Sequence, residues 1–312
     1  MLELADRAGV RLPAQEPNAL ADFMLVRDAR NLGEYLQRFE TTLSVMQSAE
    51  AMERIAFEFV EDVAGEGIRY VEVRFCPALH PGAGSEAALE AAVAGLARGT
   101  AATGTRANAI ICGLRTLSPT VSLAMAELAV RWCGRGVVAF DLAGNEAGYP
   151  ASAHVEAFRV ARAGGVALTC HAGEGAGSES IRDALDVCSA QRIGHGVRLK
   201  EDAELYARVR AGGVPLEMCP TSNVHTRTVP RLESHPLAEY LGAGIPVTLN
   251  TDSRLMDRIT LVDEYLAVQA KLGLDRDTLV RIARNGFAHA FVEEAERGVM
   301  LATFDAAVTV LA

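Results

Sequence analysis

A parallel α/β barrel of the (β/α)8, or TIM, type is the fold this sequence predicts, and three observations carry the prediction. Short β-branched-rich runs alternate with amphipathic helical stretches at roughly thirty residues per unit, the size of a βαβ step. Nearly every run ends in polar residues suited to chemistry, as barrel strands do at their catalytic face. No G-x-G-x-x-G follows any of them, which removes the dinucleotide crevice of an open doubly wound sheet.

The chain opens in a helical stretch, LELADRAG (2–9), and continues through a second, NLGEYLQRFETTLSVMQ (31–47). A long amphipathic segment, AEAMERIAFEFVEDVAGEG (49–67), closes on glycine and leads into the first strand, YVEVRF (70–75). SEAALEAAVAGLARG (85–99) then precedes NAIICGLR (108–115), and VVAFDLAG (137–144) and VALTCHAG (166–173) follow. SESIRDALDVCSA (178–190) separates these from RIGHGVRL (192–199), and EDAELYARVRAGG (201–213) leads to PLEMCPTSN (215–223) and PVTLNTDS (246–253). Seven strands are recognisable, where a closed barrel of this type has eight. The missing strand 1 is expected upstream of the opening helix, and one domain is expected over residues 1–312.

A net charge of -10 and a pI near 5.3 argue against nucleic acid or an anionic membrane as partner, since both reward clustered Lys and Arg. A neutral or cationic small molecule is easier to accommodate. The six cysteines are scattered without a C-x-x-C pair, several in apolar runs, and a reduced, cytoplasmic protein is the expectation. The start, MLELADRAGV, lacks a basic region followed by an apolar one, and no apolar run reaches transmembrane length. A soluble, non-exported protein follows; oligomeric state is not legible.

His171 ends the fourth visible strand and Glu174 follows in a glycine-rich turn, where an imidazole suits zinc and a carboxylate suits proton transfer. An isolated H-x-x-E is equally a strand cap and a solvated turn residue. His195 sits between two glycines that let a ligand approach its ring closely, which is unlike a core histidine. Asp252 closes the last strand as either a ligand or a helix N-cap. Converging from three strands beside Glu174, these residues are the set expected of a mononuclear metal hydrolase. A two-metal site is disfavoured because FDLAGNE carries no lysine. EMCPTSN lacks the second cysteine of P-C-x-x-C, and no H-x-E precedes it, so a cytidine-type deaminase reading fails. His80 and His225 are placed in loops or beyond strands and His154, His235 and His289 in helical patterns, all five with surface or packing roles.

Taken together and in this order, YVEVRFCP, DLAGNE, HAGE, RIGHGVRL, EMCPTSN and TLNTDSR resemble the adenosine deaminase family over essentially the whole chain. The resemblance implies a barrel of the amidohydrolase group holding one Zn2+, which hydrolyses the 6-amino group of adenosine or 2'-deoxyadenosine to give inosine and ammonia. It implies His171 and Asp252 as zinc ligands, Glu174 as the proton donor to the purine ring nitrogen, and His195 as the group that orients the nucleophile. Gly144 matches the glycine whose amide meets the purine. Ser253 stands where the family often carries a second aspartate against the five-membered ring, and a serine hydroxyl can still donate there.

The family's first strand also bears a His-x-His pair of zinc ligands, and no histidine precedes His80 here. The strand count and the ligand count thus fall short at the same place, and a truncated chain with weakly held zinc and little turnover is the expectation. Alternatives are an aminohydrolase acting on adenine or on a modified adenine nucleoside such as aminodeoxyfutalosine. From another class, a metal-free pseudoenzyme would bind a purine or a protein partner.

Overall fold

Residues 1–310 are described by the structure, a computed structural model; 311 and 312, the last two of the expected domain, lie outside the described residues. The seven apolar runs all form strands: β1 (Tyr70–Phe75), β2 (Arg106–Leu114), β3 (Val137–Ala143), β4 (Ala167–Ala172), β5 (Arg192–His195), β6 (Leu216–Met218) and β7 (Val247–Leu249). Each pairs in parallel with the next, so spatial order follows chain order. The runs read as continuously apolar because both faces are covered: Ala107 to Gly113 of β2 are all buried. The helix Ala49–Gly65 leads into β1, and further helices return the chain outside the sheet between strands, among them Ser85–Thr103, Pro119–Trp132, Val155–Ala163, Ser178–Asp186 and Ala203–Gly212. Ser48 and Asp202 start two of them by accepting the backbone N–H three residues on.

The sheet is curled. Arg74 on β1 reaches Glu217 on β6 at 2.5 Å, and Glu72 on β1 reaches Arg192 on β5 at 2.5 Å. Strands four and five places apart in a sheet meet only across a concave interior. This is the TIM-type curvature expected, with seven strands among the described residues.

The last three strands are shorter than the sequence pattern suggests, for local reasons. His195 (φ 63°) and Gly196 (φ 66°) adopt the left-handed conformation, which ends β5 and opens a short 3-10 helix, Val197–Glu201. Asp252 (φ 54°) does the same beyond β7. Pro220 lacks an N–H and sits at the first position of a helix, Pro220–His225, so the second half of PLEMCPTSN is helical, not extended. The stretch 31–47 forms two short helices, Leu32–Leu36 and Phe39–Leu43, where one was expected. His235 and His289 cap helices rather than lie within them, and His225 ends one.

One large apolar cluster fills the space between sheet and helices. A second, built from Leu4, Leu12, Leu20, Met24, Val26, Tyr35 and Val45, joins the first forty-odd residues to Met256. The Val26 N–H donates to the Met256 carbonyl at 2.9 Å, and Arg227 donates to the carbonyls of Ala29 and Arg27. The N-terminal segment therefore lies over the C-terminal ends of β6 and β7. Among the described residues no helix is long and apolar enough to cross a membrane.

Candidate active site

Parallel strands deliver their last residues to one rim, and His171, His195 and Asp252 arrive there from β4, β5 and the turn after β7. The His171 and His195 rings lie 5.1 Å apart between centroids, inclined at 59°. Their approach depends on Gly194, which pairs with His171 in register. A Cβ there would stand 3.1 Å from His171 Cα and 3.2 Å from its ring, tighter than ordinary contact, so the two strand ends would have to give way slightly.

His171 is held from below. Its Nδ1 lies 2.9 Å from Asp141 on β3, and Arg74 approaches both, 3.0 Å from Asp141 and 3.3 Å from the ring nitrogen. Burial disfavours charge on Asp141, but His171 and Arg74 hold its carboxyl well below the usual range. A carboxylate on Nδ1 keeps the proton there and turns Nε2 outward as the available ligand atom. Burial likewise opposes charge on the imidazole, and Asp141 outweighs it, so the His171 pKa is raised.

Glu174 sits in a turn whose backbone is clamped by another acid. The Glu146 carboxylate accepts the N–H groups of Gly173 (2.6 Å), Glu174 (2.9 Å) and Gly175 (2.6 Å). Gly173 (φ 72°) is left-handed, a conformation that side chains disfavour, and a Cβ there would also press on the Ile181 side chain at 2.5 Å. Glu174 itself is buried; its Oε1 accepts from Thr226 Oγ1 (3.0 Å) and Asn223 Nδ2 (3.4 Å), and its Oε2 lies 3.4 Å from His195 Nε2. Burial raises its pKa and favours the protonated carboxyl, with Asp252 and Glu146 adding to the effect and the two histidines opposing it.

Asp252 is exposed, and its carboxylate accepts from Ser222 Oγ at 2.8 Å. Its ligand atom, one of His195 and the Cys219 thiol lie within 4.8 Å of one another. An imidazole, a carboxylate and a thiol are zinc's usual donors, so this end of the barrel fits the ion. Cys219 is buried and its thiol is pushed well above the ordinary range, first by burial and then by Asp252 and other acids. His171 lies outside that cluster, through its ring contact with His195.

Of the six residues singled out from sequence, His171, Glu174, His195 and Asp252 come together. Gly144 (φ 97°) directly follows β3, and Ser253 follows Asp252 beyond β7, so both lie at the same rim. Sequence reasoning missed Glu146, Asn223, Cys219, Arg74 and His235, all of which touch the group or its supports. Glu146, Asn223 and Cys219 lie inside the quoted motifs DLAGNE and EMCPTSN, and the signal that could have found Glu146 is the run of amides around Gly173 that needs an acceptor.

A family model described as adenosine deaminase matches residues 1–307. The chain belongs to the adenosine deaminase family. It is 40% identical to adenosine deaminase from Mycobacterium sp. (strain JLS) over 315 residues, covering 95% of this chain and 87% of that protein. Among solved structures, adenine deaminase from Arthrobacter aurescens superimposes with a TM-score of 0.90 at 26% identity, over 98% of this chain and 93% of that one. A zinc-bound amidohydrolase from Burkholderia ambifaria shares the fold, with a TM-score of 0.89 at 23% identity, over 99% of this chain and 86% of that one. Membership of this family indicates a metal cofactor as well as an aminohydrolase.

Proposed function

We propose that this chain hydrolyses the 6-amino group of adenosine or 2'-deoxyadenosine, with Glu174 as proton donor to the purine. The observation that carries the reading is the setting of Glu174: a buried carboxyl with raised pKa, one oxygen tied by Thr226 and Asn223 and the other facing His195. A buried carboxyl whose raised pKa favours its protonated form is suited to act as a general acid.

In this reading water adds its oxygen to the carbon bearing the amino group while Glu174 protonates the adjacent ring nitrogen, and the proton that the water sheds restores the Glu174 carboxyl. As the carbon–nitrogen bond breaks, the proton of the added hydroxyl ends on the departing amine, so ammonia leaves and the carbonyl of inosine forms. His195 orients the attacking water through its Nε2 edge. Gly144, whose backbone rises to the rim without a side chain, and the Ser253 hydroxyl contact the base. Zinc would be held by His171 and Asp252, with Cys219 and His195 within reach of Asp252; when bound, such an ion lowers the pKa of water toward neutrality.

The test is conversion of adenosine followed by ultraviolet absorbance, with zinc content recorded. Glu174→Gln removes the transferable proton at constant shape, and kcat is expected to fall by about 10²–10⁴-fold with KM little changed. A Glu174→Gln protein as active as the parent would overturn the assignment. Adenine as substrate is the second reading, supported by the likeness to a solved adenine deaminase. A higher kcat/KM on adenine than on adenosine would select it, and purine binding without turnover of either would mark a pseudoenzyme.

A further inference from the structure

We infer that His235 is a positioning residue that fixes the tautomer of His195 through Asn223. The inference rests on the catalytic role proposed for His195 only in its effect on turnover; the tautomer itself is a property of the fold.

Hydrogen-bond directions leave one consistent assignment. The Leu237 N–H can only donate, and it points at His235 Nδ1 at 3.2 Å, so that nitrogen carries a lone pair. His235 is buried, and burial together with the nearby His195 lowers its pKa to about 3, which keeps the ring neutral. Its single proton is therefore on Nε2. That nitrogen lies 3.2 Å from Asn223 Oδ1, which accepts it and fixes which way the amide faces.

With its oxygen committed to His235, Asn223 turns its NH2 group to the site. One hydrogen goes to Glu174 Oε1 at 3.4 Å and the other to His195 Nδ1 at 3.1 Å. His195 Nδ1 must then be an acceptor, so the neutral ring carries its proton on Nε2, the edge facing Glu174 Oε2 at 3.4 Å. A backbone amide at the start of the helix Leu237–Gly242 thus dictates the proton position of a side chain on another strand, through three hydrogen bonds. Asn223 is fully enclosed and His235 is buried, so water competes little for these bonds.

The experiment is nitrogen-15 NMR of histidine-labelled protein as purified, with the His195 signals identified by their loss in His195→Gln. In the parent, His195 shows a pyridine-type Nδ1 and a pyrrole-type Nε2. His235→Leu removes the donor to Asn223 and frees its amide to flip, so the two nitrogens move toward averaged shifts and kcat falls about tenfold at unchanged KM. His235→Gln can donate to Asn223 and accept from Leu237, and restores the parent spectrum and rate. Asn223→Asp, which accepts from both rings, reverses the His195 tautomer. Unaltered His195 shifts in His235→Leu or Asn223→Asp overturn the inference whatever the activity. Altered shifts with full activity leave it standing and remove His195 from the catalytic reading. Should His235→Leu fail to fold, the reversal in Asn223→Asp decides.

Discussion

At the scale of single residues, the site depends on acceptors and small residues that carry no chemistry themselves. Glu146 is the clearest case, because three consecutive amides need two carboxylate oxygens: Oε1 takes Gly173, and Oε2 takes Glu174 and Gly175. Glu146→Gln replaces one oxygen with an NH2 group that faces a donor, leaving at least one buried N–H unpaired at a cost of about 1–3 kcal/mol. A lower Tm and a loss in kcat/KM on adenosine are both expected, since the turn that orients Glu174 loosens. A variant with the parent's Tm would show that the clamp contributes nothing. The positions of His171, Glu174, His195 and Asp252 were legible from sequence because each stands at a strand exit, a position defined by the apolar run before it. Asn223 and His235 were not, because their roles arise from contacts made 28 and 12 residues away, to His195 and to each other.

At the scale of elements, the sequence pattern located all seven strands but overran β5, β6 and β7, since hydropathy does not register a backbone that turns left-handed at His195 and Asp252. Pro220 did carry such a signal, and the helix it opens is tied to its surroundings by Glu264. That side chain, fully buried on the helix Leu261–Leu272, accepts from the Thr221 N–H (3.0 Å) and hydroxyl (2.9 Å). Burial raises its pKa from 4.5 to about 7, against the pull of both Thr221 bonds. A carboxyl with a raised folded pKa binds its proton more tightly folded than unfolded, so its stabilisation is complete below pH 4.5 and is lost as pH rises toward 7. Glu264→Gln cannot ionise and can still bond Thr221 through its oxygen and NH2 group. Urea unfolding across that window should show the parent losing on the order of 3 kcal/mol relative to the variant. Parallel stability curves for the two proteins would contradict it.

At the scale of the whole molecule, charge rather than apolar filling spans the curled interior. Asp141, Arg74, Glu217, Arg192 and Glu72 form one chain from β3 to β1, β6, β5 and back to β1, with links of 3.0, 2.5, 2.6 and 2.5 Å. Further contacts tie it along its length: Thr169 donates to Glu217, Tyr70 and the Phe291 N–H donate to Glu72, and Arg192 lies over the Phe291 ring. Because these links cross the sheet, they set how far β1 stands from β5 and β6, and through Asp141 they reach His171 at the site. Breaking a buried pair leaves an uncompensated charge, so Arg192→Leu, which leaves Glu72 without a cation and Glu217 with Arg74 alone, is expected to cost about 3–5 kcal/mol in urea unfolding at neutral pH. Arg131→Ala, which breaks an exposed pair with Glu86, should cost under about 1 kcal/mol. The pH dependence follows from Glu217, which burial would raise but Arg74 and Arg192 lower to about 2. An acid with a depressed folded pKa stabilises above its unfolded value of 4.5 and loses that contribution as pH falls toward 2. The parent should therefore weaken across that acid range, and Arg192→Leu should weaken less steeply, having lost one of the two cations that depress Glu217. An equal acid slope in both proteins would mean that the charge chain does not hold the sheet in its curl.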